Sequence, residues 1–134
     1  MQGASKFSMD RTILIVDDAD DVREMCALYL SYEGFAVVEA TNGQEAVEKA
    51  NAILPQLILM DLSLPVMGGL EATKVIKSNE RTRHIPVILV TAHVRRGSAA
   101  VIEAGCEGFL VKPAAPKALV AEINRVLART GTRK

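Results

Sequence analysis

Five short runs of apolar residues set the limits on how this chain can fold. They are Ile13–Val16, Phe35–Val38, Leu57–Met60, Val87–Val90 and Phe109–Val111. Within each run the residues are apolar at successive positions, the pattern of strands buried on both faces. Run starts at 13, 35, 57, 87 and 109 leave 22 residues for most units. That length holds one strand, one helix and two short loops. The segments between the runs carry helical spacing. Val22, Met25, Cys26, Tyr29 and Leu30 fall on one helical face, and Gly34 offers a stop. Asn42 followed by Glu45 forms a capping box ahead of Ala46, Val47, Ala50 and Ile53. Leu70 to Ile76 make a third helix, and residues from Ala99 to a stop at Gly105 a fourth. Pro116 opens a fifth that carries Leu119, Val120, Ile123, Val126 and Leu127. The alternation predicts an α/β fold, a parallel sheet covered by helices on both sides through right-handed crossovers.

Composition narrows the class. A chain of 134 residues fits one domain, and 49% apolar with 24% charged residues suits a globular one. Sixteen basic residues balance sixteen acidic ones, which argues against a general nucleic-acid binder. The balance is a sum of unlike parts. Without Lys6, Asp10 and the basic residues from Arg125 onward, eleven basic and fifteen acidic groups remain. No apolar stretch approaches the roughly 18 residues of a membrane span, and no secretory signal is apparent. Cys26 and Cys106 form no CxxC pair, so zinc and redox chemistry lack support. The expectation is a cytoplasmic domain over residues 11–129, with short tails at 1–10 and 130–134.

Ligands of parallel α/β sheets bind beyond the carboxyl ends of the strands. Asp17 and Asp18 follow the first run, Asp61 ends the third, Thr91 ends the fourth, and Lys112 and Pro113 follow the fifth. Clustered carboxylates repel one another and need a cation or a proton. With no His or Cys beside them, their hard oxygens suit Mg²⁺. A carboxylate can also act as a nucleophile and form an aspartyl-phosphate. Asp61, between the acidic pair and Lys112, is the candidate for that role. Lys112 would neutralise phosphate oxygens, and the Thr91 hydroxyl would donate to one. Each acid alone has a plainer reading, Asp18 and Asp20 as caps of the first helix. Their joint placement in the order DD, D, T, KP favours phosphoryl chemistry. No Gly-rich phosphate loop is present to support nucleotide binding.

These residues resemble a family. Ile13–Asp18, Met60–Pro65, Val90–Ala92 and Gly105–Pro113 are similar to the motifs of CheY-like response-regulator receiver domains. The resemblance covers residues 10–130 and implies a flavodoxin-like, doubly wound sheet of order 2-1-3-4-5 with five helices. It implies that Asp61 accepts phosphoryl from a histidine kinase or a histidine phosphotransfer protein. It implies that Asp17, Asp18, Asp61 and the Ser63 backbone carbonyl hold Mg²⁺. Thr91 and Phe109 would be the switch pair, and Lys112–Pro113 a cis peptide. Phosphorylation would then alter a surface around helix four, strand five and helix five, read by an unknown downstream protein. Slow self-dephosphorylation would follow, so the chain would not be a conventional enzyme. A stand-alone receiver is expected, as partner binder or relay shuttle, unless the chain is a piece of a longer protein.

Some positions depart from the family pattern. Gly68 stands where an acid is usual, leaving the third helix poorly capped. Phe109 lacks the hydroxyl of the more common Tyr, and Ala114 is smaller than usual. Ser63, two residues after Asp61, leaves room for water. His93 and His84 read as loop residues, and Arg95 and Arg96 as a charged face at the start of helix four. A phosphohydrolase of the haloacid-dehalogenase type would need an acid at position 63. A phosphorylation-independent module would not need the full set of Asp17, Asp18, Asp61, Thr91 and Lys112.

Overall fold

The computed structural model describes residues 11–92, 99 and 101–130. Its strands are β1 (Thr12–Val16), β2 (Ala36–Ala40), β3 (Leu57–Asp61), β4 (Val87–Thr91) and β5 (Gly108–Val111). Its helices are α1 (Asp20–Tyr32), α2 (Gly43–Ile53), α3 (Gly69–Ser78) and α5 (Pro116–Thr130). Residue 99 and residues 101–104 are the described part of α4. All pairings are parallel, and the sheet order is β2-β1-β3-β4-β5, as expected from the resemblance.

Strand period decides where the core sits. Leu14, Val16, Ile58, Met60, Val87 and Leu89 face α2 and α3, meeting Ala46, Ala50, Ala72 and Ile76. Ile13, Ile15, Leu57, Leu59 and Ile88 face the other way, onto Ala27 and Leu30 of α1 and Leu119, Ile123, Val126 and Leu127 of α5. Successive apolar positions therefore feed two cores, one per face. The edge strands differ: β2 and β5 are only half-buried along most of their length. β2 also begins and ends later than its apolar run, because Phe35 is used by the preceding turn.

That turn shows how α1 stops. Gly34 has φ 99°, donates to Ser31 O at 3.0 Å, and Phe35 N donates to Leu30 O at 3.0 Å. This is the Schellman pattern, with Phe35 and Leu30 together in the core beneath it. The capping box of α2 forms in altered shape. Asn42 Oδ1 accepts from Glu45 N at 2.8 Å, but Glu45 reaches back to Thr41 N and Thr41 Oγ1 rather than to Asn42.

Of the apolar face expected for α1, Leu30 is buried and Cys26 and Tyr29 pack against the core, but the start of the face is rotated. Val22 is 41% exposed and Met25 71% exposed, while Arg23, Ala27 and Leu30 are buried. An arginine occupies the first core-facing position, so apolar spacing alone set the start of the face one residue off.

Candidate functional site

Strand register brings the candidate residues together. Val16 pairs with Met60, so Asp17 and Asp61, one residue further along adjacent strands, lie side by side. Asp61 pairs with Val90, and Thr91 with Val111. Lys112, directly after β5, reaches back across β4. Its Nζ lies 3.0 Å from Asp17 Oδ2 and 3.4 Å from Asp61 Oδ2. Carboxylate oxygens of Asp17, Asp18 and Asp61 lie within 4.8 Å of one another, with Asp17 and Asp61 buried and Asp18 exposed. Among the described residues, three carboxylates face one ammonium, which leaves two negative charges over.

Burial and neighbouring charge both act on Asp61. Burial holds the Asp61 carboxyl above the usual carboxylate range, and the Asp17 charge adds to it. Lys112 and the Ser63 N–H pull it back only in part. Burial alone would lower Lys112, but its hydrogen bond to Asp17 and the charges of Asp61 and Asp17 raise it, so it stays an ammonium. The donor set is all oxygen, half-enclosed and short of two positive charges. It fits a hard divalent cation.

The local chain explains the rigidity of Asp17. Its N–H donates to Ala40 O at 3.1 Å, its Oδ1 accepts from Ala19 N at 2.9 Å, and its carbonyl accepts from Arg23 Nη1 at 2.9 Å. Neither Asp18 nor Asp20 caps α1. The N-cap is Ala19, without a side-chain bond. The loop after Asp61 is pinned twice: Gly69 N donates to Leu62 O at 3.0 Å and Gly43 N to Met67 O at 3.0 Å. As expected, Gly68 caps α3 without a side chain.

Between those pins the loop turns tightly at Val66, with φ 68° and a Met67 N to Pro65 O bond of 2.6 Å. A β-branched residue rarely adopts this conformation. Val66 is 81% exposed and gains little from packing. Val66→Gly is therefore expected to stabilise the protein by about 0.5–1 kcal/mol, relief of strain outweighing added chain entropy. Urea unfolding of the two proteins checks this.

The other expected residues fall as follows. Thr91 is buried at the end of β4. Phe109 pairs with Leu89, two residues before Thr91, so Phe109 and Thr91 share a face of the sheet. The Lys112–Pro113 peptide is cis. Ser63 is exposed, its N–H turned to the Asp61 carboxylate. Ala114, next to Pro113, is half-buried, and His84 is exposed. His93, Arg95 and Arg96 lie outside the described residues. Burial pushes the Cys106 thiol up to about 12 and raises Cys26, so neither is a thiolate at neutral pH. Sequence reasoning missed Arg23. It also passed over Glu39 at the end of β2, which accepts from Arg23 Nε at 2.8 Å. Their signal was an arginine at i, i+4, i+7 spacing with Ala27 and Leu30.

Residues 13–124 match the family model of the response regulator receiver domain. The phosphate regulon transcriptional regulatory protein PhoB of Klebsiella pneumoniae is 39% identical over 122 residues, 90% of this chain and 53% of that protein. The transcriptional regulatory protein SrrA of Staphylococcus aureus is 37% identical over 91% of this chain and 50% of its own. The chain thus spans about half the length of the curated relatives it matches. A CheY-like receiver domain protein of Methanospirillum hungatei superposes with TM-score 0.84 at 26% identity, over 92% of this chain and 98% of that one. Chemotaxis protein CheY4 of Vibrio cholerae superposes with TM-score 0.82 at 31% identity, over 87% and 98%. No described helix is long and apolar enough to cross a membrane. Sheet order, strand-end chemistry and these likenesses converge, and the chain belongs to the response regulator receiver domain family of two-component signalling.

Proposed function

We propose that Asp61 accepts a phosphoryl group from the phosphohistidine of a histidine kinase or phosphotransfer protein, at a site that also binds Mg²⁺. The observation that carries this is the cluster of Asp17, Asp18 and Asp61 against the ammonium of Lys112, the one cation beside it among the described residues. Its two surplus negative charges match one divalent cation. Asp17, Asp18 and Asp61 would hold the ion through side chains, and Ser63 through its backbone carbonyl. Bound there, Mg²⁺ would neutralise charge on the phosphoryl oxygens.

The residues divide the remaining work. An Asp61 carboxylate oxygen attacks phosphorus, the new O–P bond forms, and the P–N bond breaks. The imidazole nitrogen leaves with the electron pair and regains its proton from solvent. Lys112, already beside Asp61, meets the negative charge on the transferred group. The product adds about −1.5 to −2 charge at neutral pH. Thr91 answers with its hydroxyl, and Phe109, on the same face, repacks without a hydroxyl of its own. That couples the site to a surface of α4, β5 and α5 for a downstream protein. The unit that does this is residues 11–129, acting in the cytoplasm.

Acetyl phosphate tests the reading without a cognate kinase. Incubation with Mg²⁺ is expected to add one phosphoryl mass to the intact protein, and chelation to prevent it. Absence of a Mg²⁺-dependent mass gain overturns the reading.

A further inference from the structure

Arg23 is a charged residue where α1 should be apolar. It is 7% exposed, in the buried stripe with Ala27 and Leu30. All three of its nitrogens are used. Nη1 donates to the backbone carbonyl of Asp17 at 2.9 Å, Nε to Glu39 Oε1 at 2.8 Å and Nη2 to Asp20 Oδ1 at 2.8 Å. An arginine stem and fork placed in a core stripe displaces apolar packing, so the position calls for an explanation beyond stability.

Charge does not supply it. Asp20 and Glu39 share the same fork, so the trio is net negative and adds no positive field to the carboxylate cluster. Position does. The Asp17 carbonyl belongs to the peptide that joins Asp17 to Asp18, and a peptide unit is planar. Fixing that oxygen fixes the plane from which the Asp18 side chain departs. The Asp17 carboxylate is held by Ala19 N and Lys112 Nζ. Asp18 is exposed and receives its direction from the main chain.

We propose that Arg23 is the positioning residue of the carboxylate site, its fork setting the Asp17–Asp18 peptide so that both acids point at one cation. The inference rests on the proposed Mg²⁺ site and says how that site is preorganised. Partners that orient metal ligands typically carry tenfold to hundredfold in affinity. A lysine, with a single point of donation, cannot hold three acceptors on three elements at once.

The test is a Mg²⁺ titration of the intact protein, read by calorimetry and by the rise in Tm with Mg²⁺. Arg23→Lys and Arg23→Met are expected to weaken Mg²⁺ binding about tenfold or more. Glu39→Gln, which loosens β2 but leaves the Asp17 contact, is expected to stay within about twofold of wild type. Ile123→Ala, a core loss on α5, measures what instability alone does to affinity. Weakened binding in Arg23→Lys, with Ile123→Ala unchanged, supports the positioning role even where Arg23→Met fails to fold. Wild-type affinity in Arg23→Lys overturns it, as does equal weakening in Ile123→Ala. Absence of Mg²⁺ binding by the wild type overturns the site itself, and the inference with it.

Discussion

Asp61→Asn is expected to abolish phosphoryl acceptance and, in the same protein, to raise its stability without Mg²⁺. The first effect is complete, because the amide has no anionic oxygen to attack phosphorus. Residual labelling by acetyl phosphate would place the acceptor elsewhere. The second follows from burial. The Asp61 carboxyl is held above its ordinary value chiefly by desolvation, with Asp17 adding to it. A group whose folded value is raised contributes its full stability only below its unfolded value. That contribution is lost as pH rises through the folded value. At neutral pH the ionised Asp61 is therefore a cost, and Asn removes it. The expected gain is about 1 kcal/mol, the scale common when a functional site is relaxed. It should shrink as pH falls toward the carboxylate range. Saturating Mg²⁺ reverses the order. Wild type gains about 2.7 kcal/mol at a hundred times its Kd, and Asp61→Asn, lacking one ligand charge, gains less. Urea unfolding at several pH values, with and without Mg²⁺, reads both. Equal stabilities in every condition would refute the argument.

Gly69→Ala is expected to produce a large loss of stability for a single added methyl group. Local propensity says the opposite, since alanine is favoured over glycine inside a helix by about 1 kcal/mol. Tertiary contact decides. A Cβ on Gly69 would collide with the Asp61 carbonyl oxygen and crowd Leu62 Cα, all of it backbone. None of these atoms can swing aside as a side chain could. The Gly69 N to Leu62 O bond and the Thr73 Oγ1 to Gly69 O bond hold the helix start in place. Relief requires moving the acceptor strand, at about 3 kcal/mol or more, or on the order of 10 °C in Tm. The neighbouring glycine is the control. A Cβ on Gly68 meets only Leu62 O at 3.7 Å, so Gly68→Ala should stay within about 0.5 kcal/mol of wild type. Similar losses at both glycines would mean that helix start, not close approach, sets the cost.

The sequence carried the sheet well because each run is apolar at successive positions and needs no partner to be read. It carried the site because Asp17, Asp61, Thr91 and Lys112 are tied to strand ends, and strand ends meet by register. Strand order came from resemblance, since period says which face a residue takes but not which strand lies beside it. Local reading failed where a polar residue did apolar duty. Arg23 sits in a core stripe, and the expected face through Val22 and Met25 turned out exposed. The strain at Val66 and the closeness of Gly69 to Asp61 were equally hidden. Both depend on how two distant segments dock, which spacing within one segment does not encode.

The fastening of α3 to the acceptor strand also determines direction. On one flank Asp61 has β1, whose end is tied through Asp17 at its N–H, its carbonyl and both carboxylate oxygens. Beneath it, Gly69 leaves no clearance. A strongly charged group arriving on Asp61 thus pushes against an abutment on two sides. On the third side lies Thr91, and beyond it the half-buried edge strand β5. If Asp61 is the acceptor, as proposed, the added charge is expected to be accommodated toward β5 and not toward β1 or α3, as in a vice whose other faces are fixed.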